Sequence, residues 1–189
     1  MPKSSYAFAN DHFKAFLSDD ICIRPANTEW ERKGYYALRR QIFSKEQKIL
    51  VGKERDNKDF RAIPIIALAS NWHVDDEVIG AVRIYQETMG DHESDQIWYG
   101  GRLCVSRPYR GHQSIGKALI NEAVSRAIDL GCTRFYATVQ PQNESYFHSV
   151  HWKTIGDVEV VGRPHIHMEA NLTAYPFMSR YGLGESDDT

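Results

Sequence analysis

The sequence predicts an α+β protein in which helices sandwich a sheet. Short segments dense in β-branched and aromatic residues, each closed by proline, glycine or aspartate, recur along the chain as strands do. One long stretch, Ile115 to Leu130, instead repeats its apolar residues at the helical period. In order, the elements are strand, helix with room for a second, three antiparallel strands, long helix, strand, short helix and two strands. A chain of 189 residues is one domain by length, with ample capacity to bury a core. No repeat, linker or low-complexity run divides it, so residues 1–189 are expected to form a single unit. Its core spans about 20–172, after a lead-in (1–19) and before a loosely held tail (173–189).

In the lead-in, Phe13, Phe16 and Leu17 make one short amphipathic turn after an Asn10 or Asp11 cap. Ile21 to Arg24, closed by Pro25, is the first strand. Asn27 or Thr28 then caps a helix with Glu31 close behind. Trp30, Tyr35, Leu38 and Ile42 give that helix a buried stripe running to about Phe43, and Arg32, Lys33, Arg39 and Arg40 read as its solvated face. Residues 52–62 are dense enough in charge to read as loop or exposed turn. Ile63–Ser70 and Val78–Tyr85 are strands about a turn at Asp75-Asp76, and Glu87 falls along or just beyond the second. Between Thr88 and Gln96, Asp91, His92, Glu93 and Asp95 read as solvated loop charge, because no second ligand group stands at metal spacing.

Trp98–Val105 is the third strand of this series, and Pro108 ends it by lacking a ladder donor and restricting Arg107. In the long helix, Ile115, Leu119, Ala123, Ala127 and Leu130 share a stripe widened by Ile120, Val124 and Ile128, and Gly131 stands at the C-terminal cap. Arg134–Gln140 is a strand stopped by Pro141, and Asn143-Glu144-Ser145 cap a short helix, Tyr146–Val150. Lys153–Val161 and His165–Leu172 close the sheet, joined by Gly162-Arg163-Pro164. His165 and His167 share one strand face, and without a third ligand they read as polar surface and not as a metal pair.

The turn Tyr109-Arg110-Gly111-His112-Gln113-Ser114-Ile115-Gly116-Lys117 carries the chemistry. It places small residues and successive backbone N–H groups at a helix start, where unpaired donors and the positive end of the dipole attract phosphate oxygens. Arg110 and Lys117 add positive charge, and Gly116 lets a ligand approach the backbone closely. An ordinary strand-to-helix connection with a packing glycine explains the turn alone equally well. The Walker spacing from Gly111 to Gly116-Lys117 is present, but Ala118 stands where magnesium needs a hydroxyl. A Gly-x-Gly-x-x-Gly dinucleotide fingerprint does not occur.

Composition excludes other classes. Net charge is −2 with no basic patch, so nothing points to nucleic acid. Cys22, Cys104 and Cys132 are odd in number and unpaired in spacing, which suits reduced thiols. With no leader-like apolar run at the N-terminus and no window long enough to span a membrane, a cytoplasmic protein without a membrane partner is expected.

The 103–119 segment resembles the acetyl-CoA-binding segment of the GNAT superfamily of N-acyltransferases. The family's L-x-V-x-x-x-x-R-G is met by Leu103-Cys104-Val105 and Arg110-Gly111, and Ile115-Gly116-Lys117-Ala118-Leu119 continues into the helix. In the family's Q/R-x-x-G-x-G/A turn, Ser114 takes the middle glycine's place and Gly111 the Gln/Arg place, unless Arg110 keeps its role and the turn holds one extra residue. A second match, Leu38-Arg39-Arg40-Gln41-Ile42-Phe43-Ser44-Lys45-Glu46-Gln47, is similar to the L-R-x-x-V-F-x-x-E-Q of one GNAT subgroup, and Pro164-His165-Ile166-His167-Met168 to its P-H-I-x-M. The motif set also resembles the nitrogen-starvation, nitrilase-cluster group. The resemblance implies a mixed, mostly antiparallel, twisted sheet of about six to seven strands flanked by helices.

It further implies an acetyltransferase that moves the acetyl group of acetyl-CoA, as co-substrate and without a metal, to the primary amine of a small molecule. Attack would be direct, in a ternary complex. The implied cofactor contacts are Leu103, Cys104, Val105, Arg110, Gly111, His112, Gln113, Ser114, Ile115, Gly116, Lys117 and Asn143. A backbone N–H near Leu103–Val105 would polarise the carbonyl, and Glu46 or Glu87 would take the amine's proton. Where the family often has a thiolate-protonating tyrosine, the register gives Phe147, with Tyr146 one residue earlier as the candidate acid. A catalytically weak CoA-binding sensor or interaction module, or an enzyme acting on a protein or peptide amine, stands as the alternative, and a homodimer is left open.

Overall fold

The computed structural model describes residues 20–52, 55–71, 75–87, 96–111 and 114–175. The lead-in turn, the acidic loop at 88–95, His112, Gln113 and the end of the tail lie outside them. Seven strands form one mixed sheet: β1 (Asp20–Pro25), β2 (Ile63–Asn71), β3 (Asp75–Gln86), β4 (Ile97–Val105), β5 (Arg134–Val139), β6 (Trp152–Val160) and β7 (Arg163–Ala170). Their spatial order is β1-β2-β3-β4-β5-β7-β6. Every neighbouring pair is antiparallel except β4 with β5. That parallel pair is the one connected through a long helix, α2 (Ile115–Asp129), as a crossover requires.

The strand periodicity sorts side chains to two faces. On one face Ile65, Ile84, Trp98, Phe135 and Met168 meet Leu119, Ala123 and Val124 of α2. On the other, Ile66, Leu68, Val78 and Cys104 meet Tyr35, Leu38 and Ile42 from α1 (Glu29–Arg39) and its continuation. Thr28 caps α1 with the capping box expected: its hydroxyl accepts from the Glu31 N–H while the Glu31 carboxylate accepts from the Thr28 N–H at 2.9 Å.

The structure corrects several expectations. Trp30 is exposed, because it lies one helical position off the stripe set by Tyr35 and Leu38. Arg39 is not on the solvated face but wholly buried, and the charged segment after residue 52 folds over it as a short 3-10 turn, Asn57–Phe60. The first helix does not stop near Phe43 but passes into a π-helix, Arg40–Glu46, whose last residue, Glu46, meets Arg110 of the turn after β4. Leu130 is exposed at the C-cap of α2, while Gly131 adopts the expected left-handed conformation at φ +88°.

Candidate active site at the splayed strands

β4 and β5 pair at only four positions, from Ile97↔Arg134 to Gly100↔Ala137. Beyond them the strands part, so Gly101–Val105 on one side and Thr138–Val139 on the other have no partner across the gap. β4 also bulges there: a step of three positions, Gly101 to Cys104, is matched by a step of only two on β3, Ala81 to Arg83. Arg102 takes the left-handed conformation at φ +57°, and the twist of such a bulge turns backbone N–H groups away from the ladder.

Of the residues expected to hold the cofactor, Leu103, Cys104, Val105, Arg110, Gly111, Ser114, Ile115, Gly116, Lys117 and Asn143 all border one cavity of about 570 Å³, and Tyr146 joins them. α2 starts at this wall. Its first intrahelical acceptor is the Ser114 carbonyl, bonded by the Ala118 N–H at 3.0 Å, so the preceding amides have no helical partner. Ser114 stands at φ +52° and its side chain makes no cap bond, which explains why the family motif has glycine there. A Cβ built on Gly116 would meet the Tyr146 hydroxyl at 3.0 Å. Burial raises the Tyr146 pKa, so the phenol keeps its proton at neutral pH. Phe147 is buried and edge-on to Trp152. Cys104 reaches the cavity on β4, but its thiol packs in the α1-side core, where burial pushes it up to about 12 and keeps it inert.

A second cavity, of about 140 Å³, opens through the gap between β4 and β5 and shares Leu103, Asn143 and Phe147 with the first. Its walls are mostly apolar, including Phe43, Leu50, Phe135 and Trp152, and its charged or titratable lining is Arg102, Arg163 and His165. The His165 Nδ1 lies 3.0 Å from the Arg163 carbonyl. A carbonyl only accepts, so Nδ1 carries a proton, and in the neutral ring the lone pair is on Nε2.

Glu46 and Glu87 border neither cavity and are not brought together. Glu46 receives both Arg110 guanidinium nitrogens, at 2.5 and 3.0 Å, and this bond, more than any other contact, lowers its pKa. Arg110 also donates Nε–H to the Val105 carbonyl at 2.9 Å, tying the turn to the end of β4. Glu87 accepts from Lys58 at 2.6 and 2.7 Å and pairs with Arg61 at 3.1 Å. Burial alone would raise its pKa, but these two cations lower it.

Behind Arg102 lies an ionic cluster that sequence reasoning missed. Arg39 donates to Asp59 at 2.6 and 3.0 Å and to the Tyr35 hydroxyl at 2.9 Å. Arg83 grips Asp56 with both nitrogens at 2.7 Å and lies 2.8 Å from Asp59, and Arg102 donates to Asp56 at 2.9 Å. A signal existed: Asp56-x-x-Asp59 is a helix-start capping pair, and both halves of that box form. For Arg102 there was only Gly100-Gly101 beside it, a weak sign of an irregular strand.

No curated protein sequence matches this chain. Among solved structures, a candidate N-acetyltransferase from Lactobacillus plantarum superposes with a TM-score of 0.65 at 23% identity, over 79% of this chain and 97% of its own. An acyl-CoA N-acyltransferase from Pseudomonas aeruginosa gives 0.61 at 22% identity, over 80% and 98%. An aminoglycoside 6'-N-acetyltransferase complexed with coenzyme A gives 0.58 at 13%, over 80% and 97%. At such identities these likenesses carry the fold. The sequence model of the Acetyltransferase (GNAT) family matches residues 20–146, from the first strand through the splay and the turn to the helix that bears Tyr146. The chain therefore belongs to the GNAT family, as an acyl-CoA-dependent acetyltransferase that uses acetyl-CoA as co-substrate.

Proposed function

We propose that this enzyme acetylates the primary amine of a small molecule by direct attack, from a single domain with its core at about 20–172. One observation carries the reading: the cavity at the start of α2 and the cavity through the sheet meet at Leu103, Asn143 and Phe147, so two substrates can face each other there. Acetyl-CoA supplies an activated thioester acyl group, and the remaining work falls to the chain. The side of Gly101–Val105 that faces the gap receives an amide-bearing arm as an added strand would be received. The amides at Ile115–Lys117, with the Lys117 ammonium, face phosphate oxygens. A bulge N–H near Leu103–Val105 polarises the carbonyl. Tyr146, still protonated, gives its proton to the departing sulfur.

The acceptor amine must shed a proton, because an ammonium has no lone pair. Glu46 and Glu87 are engaged by cations, and in this reading they hold Arg110 and the Lys58–Arg61 pair in place. His165 has a free Nε2 on the acceptor side and takes the proton directly or through water. The test is thiol release from acetyl-CoA across a panel of amines, beside calorimetry with CoA. Binding together with amine-dependent release supports the reading. Failure to bind CoA at millimolar concentration sinks it.

A further inference from the structure

The second cavity is charged in one sense only. Among the described residues that line it, the charged ones are Arg102, from the β4 bulge, and Arg163, from the β6–β7 hairpin, with no aspartate or glutamate among them. Behind Arg102, the ionic cluster divides its carboxylates among several guanidiniums. Arg102 shares Asp56 with Arg83, and Arg83, itself almost wholly buried, also lies against Asp59, so Asp56 does not serve Arg102 alone. The Nε–H of Arg102 is shielded from solvent and has no hydrogen-bond partner, and the same holds for the Nε–H of Arg83. The Arg83 Nε lies 3.8 Å from where a Cβ on Gly101 would stand, directly behind the cavity wall. A buried donor without an acceptor is unfavourable, and an arriving acid group supplies one.

We infer that the acceptor is an amine that also carries an acid group, such as an amino carboxylate, and not a polyamine or other polycation. This rests on the transfer reading above and names its substrate class. The acid group lies toward Arg102, with Arg163 flanking, and the amine lies toward the gap between β4 and β5. A polycationic acceptor would bring further positive charge against Arg102 and Arg163 with no carboxylate among the described lining residues to receive it.

The experiment compares matched pairs of acceptors at saturating acetyl-CoA: glycine with glycinamide, β-alanine with β-alaninamide, phenylalanine with phenylalaninamide, and spermidine alone. The amide of each pair is the less basic amine and the more deprotonated near neutral pH, so intrinsic reactivity works against the inference. The acid member should be favoured in kcat/KM by about 10- to 100-fold, the range for a charge-assisted hydrogen bond. Arg102→Gln should pull that acid-to-amide ratio toward one through the KM of the acid, and Arg102→Lys should restore only part of it, since a point charge replaces a fork. Because Arg102 also holds Asp56, Arg163→Gln on the exposed hairpin is the second variant, with a smaller fall of the ratio expected. Preference for the amides or spermidine, or a ratio unmoved in both Arg102→Gln and Arg163→Gln, overturns the inference and leaves acyl transfer standing. Tight CoA binding with no amine in the panel turned over overturns the transfer reading, and this inference with it.

Discussion

At the scale of single residues, the turn before α2 concentrates the measurable consequences. Alanine at Gly116 would gain up to about 1 kcal/mol of helix propensity. Its Cβ would also press on the Tyr146 hydroxyl at 3.0 Å, a contact the ring must yield to. Gly116→Ala is therefore expected to leave the melting temperature nearly level while raising the KM for acetyl-CoA several-fold. In a Tyr146→Phe background the contact is gone, and the same alanine should raise Tm by about 2–4 °C. Thermal melts and initial rates on the four proteins decide it, and an unchanged KM in Gly116→Val would remove phosphate from this turn. Ser114 gives the opposite case. Its φ of +52° is unfavourable for a residue with a Cβ by about 1–2 kcal/mol. Ser114→Gly should thus stabilise, read as a higher Tm, and a drop would show that the serine side chain makes a contact of its own.

At the scale of elements, what was legible followed from local chemistry. Thr28 and Glu31 announced the start of α1, and Thr28→Ala should lower stability by about 1 kcal/mol, checked by urea titration with an unchanged slope. The strand runs, Pro108, Pro141 and Gly131 set boundaries within a few residues of those observed, because each acts on its own backbone. The helix apolar spacing located Tyr35, Leu38 and Ile42 correctly. What was not legible depends on partners distant in sequence. Arg39 looks like any surface arginine until Asp59, twenty positions on, folds over it. The bulge that turns Arg102 inward is a register property of β3 against β4, absent from either strand alone. Glu46 was singled out as a candidate base, and its occupation by Arg110 was not legible because it joins two segments 64 residues apart.

At the scale of the molecule, two carboxylates tie stability to pH. For Glu31 and Asp59 burial pulls upward, yet Arg24 with the Asn27 and Thr28 amides, and Arg39 with the Asp56 amide and Arg83, bring both down to about 2. Folded values below the ordinary 4.5 and 3.8 mean the stabilisation is complete above the unfolded values and is lost as pH falls toward 2. Stability should hold level above about pH 5 and decline below it. The Glu31→Gln, Asp59→Asn protein should be weaker at pH 7 and flatter between pH 5 and 2, and denaturant midpoints along that range measure it.

The four rungs between β4 and β5 make a seam down the middle of the sheet, with β1–β4 on one side and β5–β7–β6 on the other. A ligand laid along the gap lengthens that seam from outside the polypeptide. Amide hydrogens of β4 and β5 should then exchange with deuterium at a rate set by acyl-CoA occupancy, slow when the gap is filled and fast when it is vacant. A cell's supply of thioester would in this way be written into the lifetime of the protein as well as into its turnover.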